Sequence, residues 1–161
     1  MKVHRTLAYA RYKLGSDASE QDVLAAAEGI LKERLERQGS IGSPTDASEF
    51  LRVRLGALLH EEFHVLWLDN RHRILDCQKL FTGTIDGASI YPREVVRAAL
   101  RINASAAILA HNHPSGVAEP SAADRAITNE LRNALGLIGV RILDHIVVGE
   151  ECVSMVGRGL L

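Results

Sequence analysis

The chain has 161 residues, 47% hydrophobic and 24% charged, the make-up of an ordinary folded domain that needs no disulfide staples to bury a core. A net charge of −1 argues against nucleic acid as an obligate partner, because phosphate binding needs clustered excess Lys and Arg; a local basic patch stays possible. The two cysteines, Cys77 and Cys152, belong to no C-x-x-C pair, Met1 to Gly15 lacks the apolar run of a signal peptide, and no stretch approaches the ~20 apolar residues of a membrane span, so a cytoplasmic home is expected.

Residues 1–18 carry little pattern. Ser19 then reads as a helix cap with Asp22 three residues on, and Val23, Leu24, Ala27, Ile30, Leu31 and Leu35 follow at helical spacing. Lys32, Arg34 and Arg37 suit the negative end of that helix dipole. A linker, Gln38 to Pro44, ends in a second start signal: Ser43 as cap, Pro44 at the first helical position and Asp46 at the third. Leu51, Leu55 and Leu58 form the apolar stripe of a helix expected to reach about His60. Phe63–Asp69 and Arg73–Phe81 read as strands joined by a hairpin at Asn70-Arg71-His72, and a turn is expected around Gly83 to Ser89.

Pro92 opens a helix carrying Val95, Val96, Ala99 and Leu100. Ser105–Ala110 is a short apolar strand leading straight into His111. The loop Asn112 to Pro120 is rich in turn formers, and a helix from Ser121 to Leu135 follows, with Gly136 expected past its end. Val140–Val148 and Cys152–Val156 are the last strands. By themselves these alternating elements indicate an α/β or α+β fold.

His111 and His113 stand two apart at a strand end, where residues i and i+2 share a face, and Asp124 lies in the first turn of the next helix. Two imidazoles and a carboxylate supply three ligands and leave one position of a metal open, the arrangement of a catalytic zinc site. A carboxylate in that turn is favoured by the free backbone N–H groups of the helix start. Ser121, one turn earlier, can donate to a developing oxyanion. Ser121 and Asp124 also make a capping box, S-x-x-D, which requires no metal.

The order His111-x-His113-Pro114, Ser121, Asp124 resembles the JAMM (MPN-plus, JAB-type) metalloprotease motif at every position. His111-Asn112-His113-Pro114-Ser115-Gly116, Tyr91-Pro92-Arg93-Glu94-Val95-Val96 and Asp144-His145 resemble its RadC-like branch. The resemblance covers about residues 45–161 as one MPN domain and leaves 1–44 as an N-terminal helical extension. Members of that branch often carry a helix-hairpin-helix segment, which residues 1–44 do not match, so a short form is expected. The resemblance implies a mixed, largely antiparallel sheet flanked by helices, Zn²⁺ held by His111, His113 and Asp124, and a zinc-dependent metallopeptidase or isopeptidase acting on a peptide or isopeptide-linked protein.

It also implies a Glu at the edge of the first strand as general base. Glu, any residue, then Phe selects Glu61, the favoured reading; Glu directly before Phe selects Glu62. The alternative function is a DNA-associated, repair-linked accessory protein with a secondary metal site. Asp144-His145, inside an apolar strand, either braces the sheet or backs the zinc histidines. His4, His60, His64 and His72 have no partner at ligand spacing. Consecutive His-Asn-His does not fit an HNH nuclease, whose residues spread over a much longer unit, and a nucleobase deaminase would need a P-C-x-x-C pair that is missing. Oligomeric state cannot be read from this pattern.

Overall fold

A computed structural model of the chain describes residues 18–38, 41–83 and 89–161. Residues 1–17 with His4, Gly39-Ser40 of the linker, positions 84–88 of the expected turn and the side chains of Lys32, Arg34, Leu35 and Arg37 lie outside the described residues. The element order is α1 (Glu20–Gln38), α2 (Pro44–Leu55), β1 (Glu62–Leu68), β2 (Ile74–Thr82), α3 (Pro92–Ile102), β3 (Ala106–Asn112), α4 (Ala122–Gly136), β4 (Arg141–Val148) and β5 (Cys152–Ser154). The five strands form one mixed, mostly antiparallel sheet in the order β2-β1-β3-β4-β5. Only β3 and β4 run parallel. This is the architecture the resemblance implies. No helix among the described residues is long and apolar enough to cross a membrane.

Caps set the helix starts. Ser19 and Asp22 exchange hydrogen bonds ahead of α1, and the Ser43 hydroxyl accepts from the Asp46 N–H with Pro44 at the first helical turn of α2. Each such cap satisfies a backbone donor the helix cannot, and is worth about 1 kcal/mol. In the β1–β2 hairpin, the Asp69 carboxylate accepts the backbone N–H groups of Arg71 and Arg73, and His72 takes the left-handed conformation at φ 58°.

The two inner strands β1 and β3 are buried along their whole length. Alternation divides their side chains between two cores. Leu66, Leu68, Ala106, Ile108 and Ala110 pack with Ile146 and Val148 against Ala47, Phe50, Leu51 and Leu55 of α2. Phe63, Val65, Trp67, Ala107 and Leu109 pack on the other face, against Val95 and Ala99 of α3 and Leu131 and Leu135 of α4. Each fully buried Leu or Phe contributes roughly 1.5–3 kcal/mol.

Besides shifts of one or two residues at strand ends, among them β5 stopping at Ser154 and not Val156, the structure differs from the sequence-based expectation at four places. Helix α2 stops at Leu55, with Gly56 as its cap, and not near His60, because Leu58 leaves the helix to pack on the first core. Leu100 is 61% exposed: Val95 and Ala99 define the buried stripe of α3, and position 100 is turned away from it. Gly136 is the last residue of α4, capped by Leu137, and the left-handed turn falls instead on Gly139 at φ 75°. Strand β3 continues through His111 and Asn112, since both pair with β4 and His111 also faces Phe63 of β1.

The loop after β3 is sewn to the β4–β5 turn. His113 N–H donates to the Val148 carbonyl (2.8 Å) and Glu150 N–H to the Gly116 carbonyl (2.7 Å). Gly149 lies so close that a Cβ there would sit 2.2 Å from the Gly116 carbonyl oxygen. Gly149→Ala is therefore expected to destabilise the fold by about 1–3 kcal/mol, the usual cost of overpacking, measured as a lower midpoint in chemical denaturation.

Candidate metal centre and active site

The site is built where β3 ends and α4 begins. On β3, His111 points to the α3/α4 face and is 1% exposed; His113 follows just past the strand, half-buried. The chain then passes Pro114 and Gly116 and enters α4 at Ser121, the cap residue. The capping box is complete: the Asp124 N–H donates to the Ser121 hydroxyl (3.0 Å), and the Asp124 carboxylate accepts from the Ser121 N–H (2.7 Å) and O–H (2.7 Å). So the cap fixes the third expected ligand in rotation and height.

These three side chains converge. His111 Nε2 and His113 Nε2 are 2.9 Å apart, His111 Nε2 is 3.2 Å from Asp124 Oδ1, and His113 Nε2 is 3.6 Å from Asp124 Oδ2. A tetrahedral ion with bonds of about 2.0–2.1 Å separates its ligand atoms by about 3.3 Å, so the spacing fits. The donor chemistry fits as well. His113 Nδ1 donates to the Val117 carbonyl (2.8 Å), which leaves the lone pair of a neutral imidazole on Nε2, facing the others. Electron pairs brought this close to a carboxylate repel unless a cation sits among them. His111, His113 and Asp124 are the group among the described residues whose ligand atoms lie within 4.8 Å of one another.

The electrostatics describe the same field. Without a cation, a proton takes its place. Burial works to raise the Asp124 carboxyl, but hydrogen bonds from protonated His111 and His113 outweigh it and hold it far below the usual carboxylate range. In that protonated state the hydrogen bond to Asp124 raises the His113 imidazole above its ordinary value, against the effect of burial. Behind His111 stands His145, completely buried, its Nε2 2.8 Å from His111 Nδ1 and its ring edge-on to Phe63. Burial, then the nearby His111, holds His145 well below the normal histidine range. Asp144, on the opposite face of β4, accepts from Ser154 Oγ and the Val156 N–H and braces the β4–β5 end. The Asp144-His145 pair thus divides its work between the two faces.

Register decides where the two glutamates go. Phe63 faces His111, so the antiparallel pairing carries Glu61 alongside His113 and on the face of His111. Glu61 lines a cleft of about 630 Å³ with His113, Leu59, Pro114 and Ser115. Glu62 points to the other face, 7% exposed, where its carboxylate meets His60 (3.0 Å), His64 (2.8 Å) and Lys79 (3.3 Å). His60 and His64, with no expected role, are therefore the partners of Glu62. Two contributors are missing from the sequence-based site. The Asn112 amide accepts from the Glu62 N–H (2.8 Å) and donates to the His60 carbonyl (3.0 Å), gripping the backbone on both sides of Glu61. Thr128 bonds His145 Nδ1 (2.5 Å). Strand alternation puts Asn112 opposite His111, and a Thr one helical turn after Asp124 is equally visible; neither carries meaning before its partner is known.

Two outcomes follow from this geometry. Wild-type protein should carry one equivalent of metal by elemental analysis, and His113→Ala should lose it. Burial raises the Glu62 carboxyl, yet its bonds to His64, His60 and Lys79 prevail and lower it. A lowered carboxylate stabilises the fold above its unfolded-state value and loses that contribution as pH falls through the folded value. Glu62→Gln should therefore be less stable than wild type near neutral pH, and the gap should narrow in acid denaturation below about pH 4.3.

Comparison with known proteins places these residues in a family. The model of the RadC-like JAB domain matches residues 41–160. A UPF0758 protein of Vibrio cholerae serotype O1 is 50% identical over 151 residues, which cover 94% of this chain and 96% of that one. UPF0758 proteins of Thioalkalivibrio sulfidiphilus (56% over 144 residues) and Marinobacter nauticus (52% over 145 residues) are matched over 89% of this chain. The chain spans 65% of the length of each of those two relatives. On the match across the strands, the histidine loop and the helix that bears Asp124, the chain belongs to the RadC-like JAB domain family.

Proposed function

We propose that this protein is a zinc-dependent metallopeptidase or isopeptidase that hydrolyses an amide bond in a peptide or an isopeptide-linked protein, in the cytoplasm. The observation that carries the reading is the convergence of His111 Nε2, His113 Nε2 and Asp124 beside a cleft that also holds Glu61. Two imidazoles and one carboxylate suit zinc among the divalent metals. When bound, such an ion supplies Lewis acidity, polarising a carbonyl and lowering the pKa of water towards ~7.

The chain's own residues do the rest. Glu61, held from both sides by the Asn112 amide, takes a proton from the attacking water and returns it to the departing amine nitrogen. Ser121 at the mouth of α4 donates its hydroxyl hydrogen to the oxygen that becomes negative in the tetrahedral intermediate. In the structure that hydrogen is directed at Asp124, so the hydroxyl has to turn from cap to donor as charge develops. Exposed Leu59, with Pro114, gives the cleft an apolar wall for a substrate side chain.

The test separates the two glutamates. Against a panel of peptide amides and ubiquitin-like isopeptide conjugates, Glu61→Gln should retain its metal and lose about 10²–10⁴-fold in turnover. Glu62→Gln should retain both. Undiminished hydrolysis by Glu61→Gln would remove Glu61 from the reaction.

A further inference from the structure

Thr128 lies on α4 one turn after Asp124 and is 1% exposed. Its hydroxyl oxygen is 2.5 Å from the Asp124 carbonyl oxygen and 2.5 Å from His145 Nδ1. His145 Nε2 is 2.8 Å from His111 Nδ1. The Thr128 oxygen also lies 3.8 Å from Met155 Sδ, a much weaker acceptor. Two oxygens 2.5 Å apart repel unless a hydrogen lies between them, and a carbonyl oxygen only accepts, so the single hydroxyl hydrogen of Thr128 points at Asp124. The Thr128 oxygen is then an acceptor towards the ring, and the hydrogen between them belongs to His145 Nδ1.

His145 is 0% exposed, and among the described residues its ring nitrogens are hydrogen-bonded to His111 and Thr128 and not to a carboxylate. A neutral ring carrying its hydrogen on Nδ1 accepts at Nε2, so His111 must donate from Nδ1. Neutral His111 is thereby left with its lone pair on Nε2, the atom that faces His113 and Asp124.

We propose that Thr128 and His145 are positioning residues that lock His111 in its ligating tautomer, through a one-way chain of hydrogen bonds that starts on one metal ligand and ends on the backbone of another. The inference rests on the metal-site reading above and adds what prepares the site. A buried imidazole that merely needs satisfying would be content with either direction; the Asp124 carbonyl takes that freedom away. Were His145 to carry its hydrogen on Nε2, it would donate into His111 Nδ1, drive the His111 hydrogen onto Nε2 and block ligation.

Metal-free protein labelled with ¹⁵N-histidine reports both tautomers by NMR, and zinc affinity follows from competition with a chromophoric chelator. Wild type should show His111 and His145 both protonated on Nδ1. Thr128→Val, equal in shape but without the hydroxyl, should populate the Nε2-protonated form of His145 and bind zinc about 10–100-fold more weakly. Thr128→Ser, which keeps the hydroxyl, should restore both readouts. Reversed tautomers in the wild type overturn the proposal whatever the metal does, and this result is available even if Thr128→Val fails to fold. A folded Thr128→Val with wild-type tautomers and affinity, or a Thr128→Ser that behaves like it, also overturns the proposal. Wild-type protein with the stated tautomers and no zinc affinity overturns the metal-site reading and the proposal's link to it, leaving the tautomer assignment intact.

Discussion

Strand β3 is hydrogen-bonded to β1 on one side and to β4 on the other, so its side chains have no freedom about which face they take. His111 goes to the face of α3 and α4, and Asn112 goes to the face of α2. Everything chemical in the protein hangs on that alternation. His111 meets Asp124 because α4 is laid on its side of the sheet through Leu131 and Leu135. Asn112 meets the backbone of His60 and Glu62 because β1 runs past it in the opposite direction. A slip of one residue in the β1–β3 pairing would exchange Glu61 for Glu62 and move His111 into the wrong core.

The same residues serve stability and the site. Ser121 and Asp124 close the start of α4 as a capping box, and that cap aims a carboxylate at two imidazoles. The free N–H groups and positive dipole end of the helix help keep the carboxylate ionised beside them. Gathering lone pairs and a carboxylate works against folding in the absence of a cation. The fold offsets this with two apolar cores, one on either side of the sheet, and with hydrogen bonds made by the outer nitrogens of both histidines, His113 Nδ1 donating to the Val117 carbonyl and His111 Nδ1 meeting His145 Nε2. A cation that binds only the folded form adds its binding free energy to that balance.

Much of this was legible in the chain as written. The elements follow from local signals: caps at Ser19, Ser43 and Ser121, prolines at 44 and 92, and β-branched runs in the last strands. The three converging residues were legible too, because strand period and helix cap each fix a side chain within a few residues of the backbone that directs it. Helix ends were less so. Leu58 and Leu100 both fit an apolar stripe by spacing, and only the packing shows that Leu58 has left its helix and Leu100 faces solvent.

What the order of residues determined by itself is the candidate donor set, His111, His113 and Asp124, and the helix start that carries Asp124, since those depend on neighbours in the chain. The tertiary structure alone decided which glutamate shares the cleft, which histidine backs His111, and what Asn112 and Thr128 hold. Glu61 and Glu62 are adjacent in sequence and on opposite faces of a sheet, and only pairing with a strand some fifty positions away sets the parity. His145 gains its meaning from a helix and a strand that touch it from elsewhere, His111 on one nitrogen and Thr128 on the other. Contacts of that kind belong to the register of the sheet and the seating of α4, which no local pattern encodes.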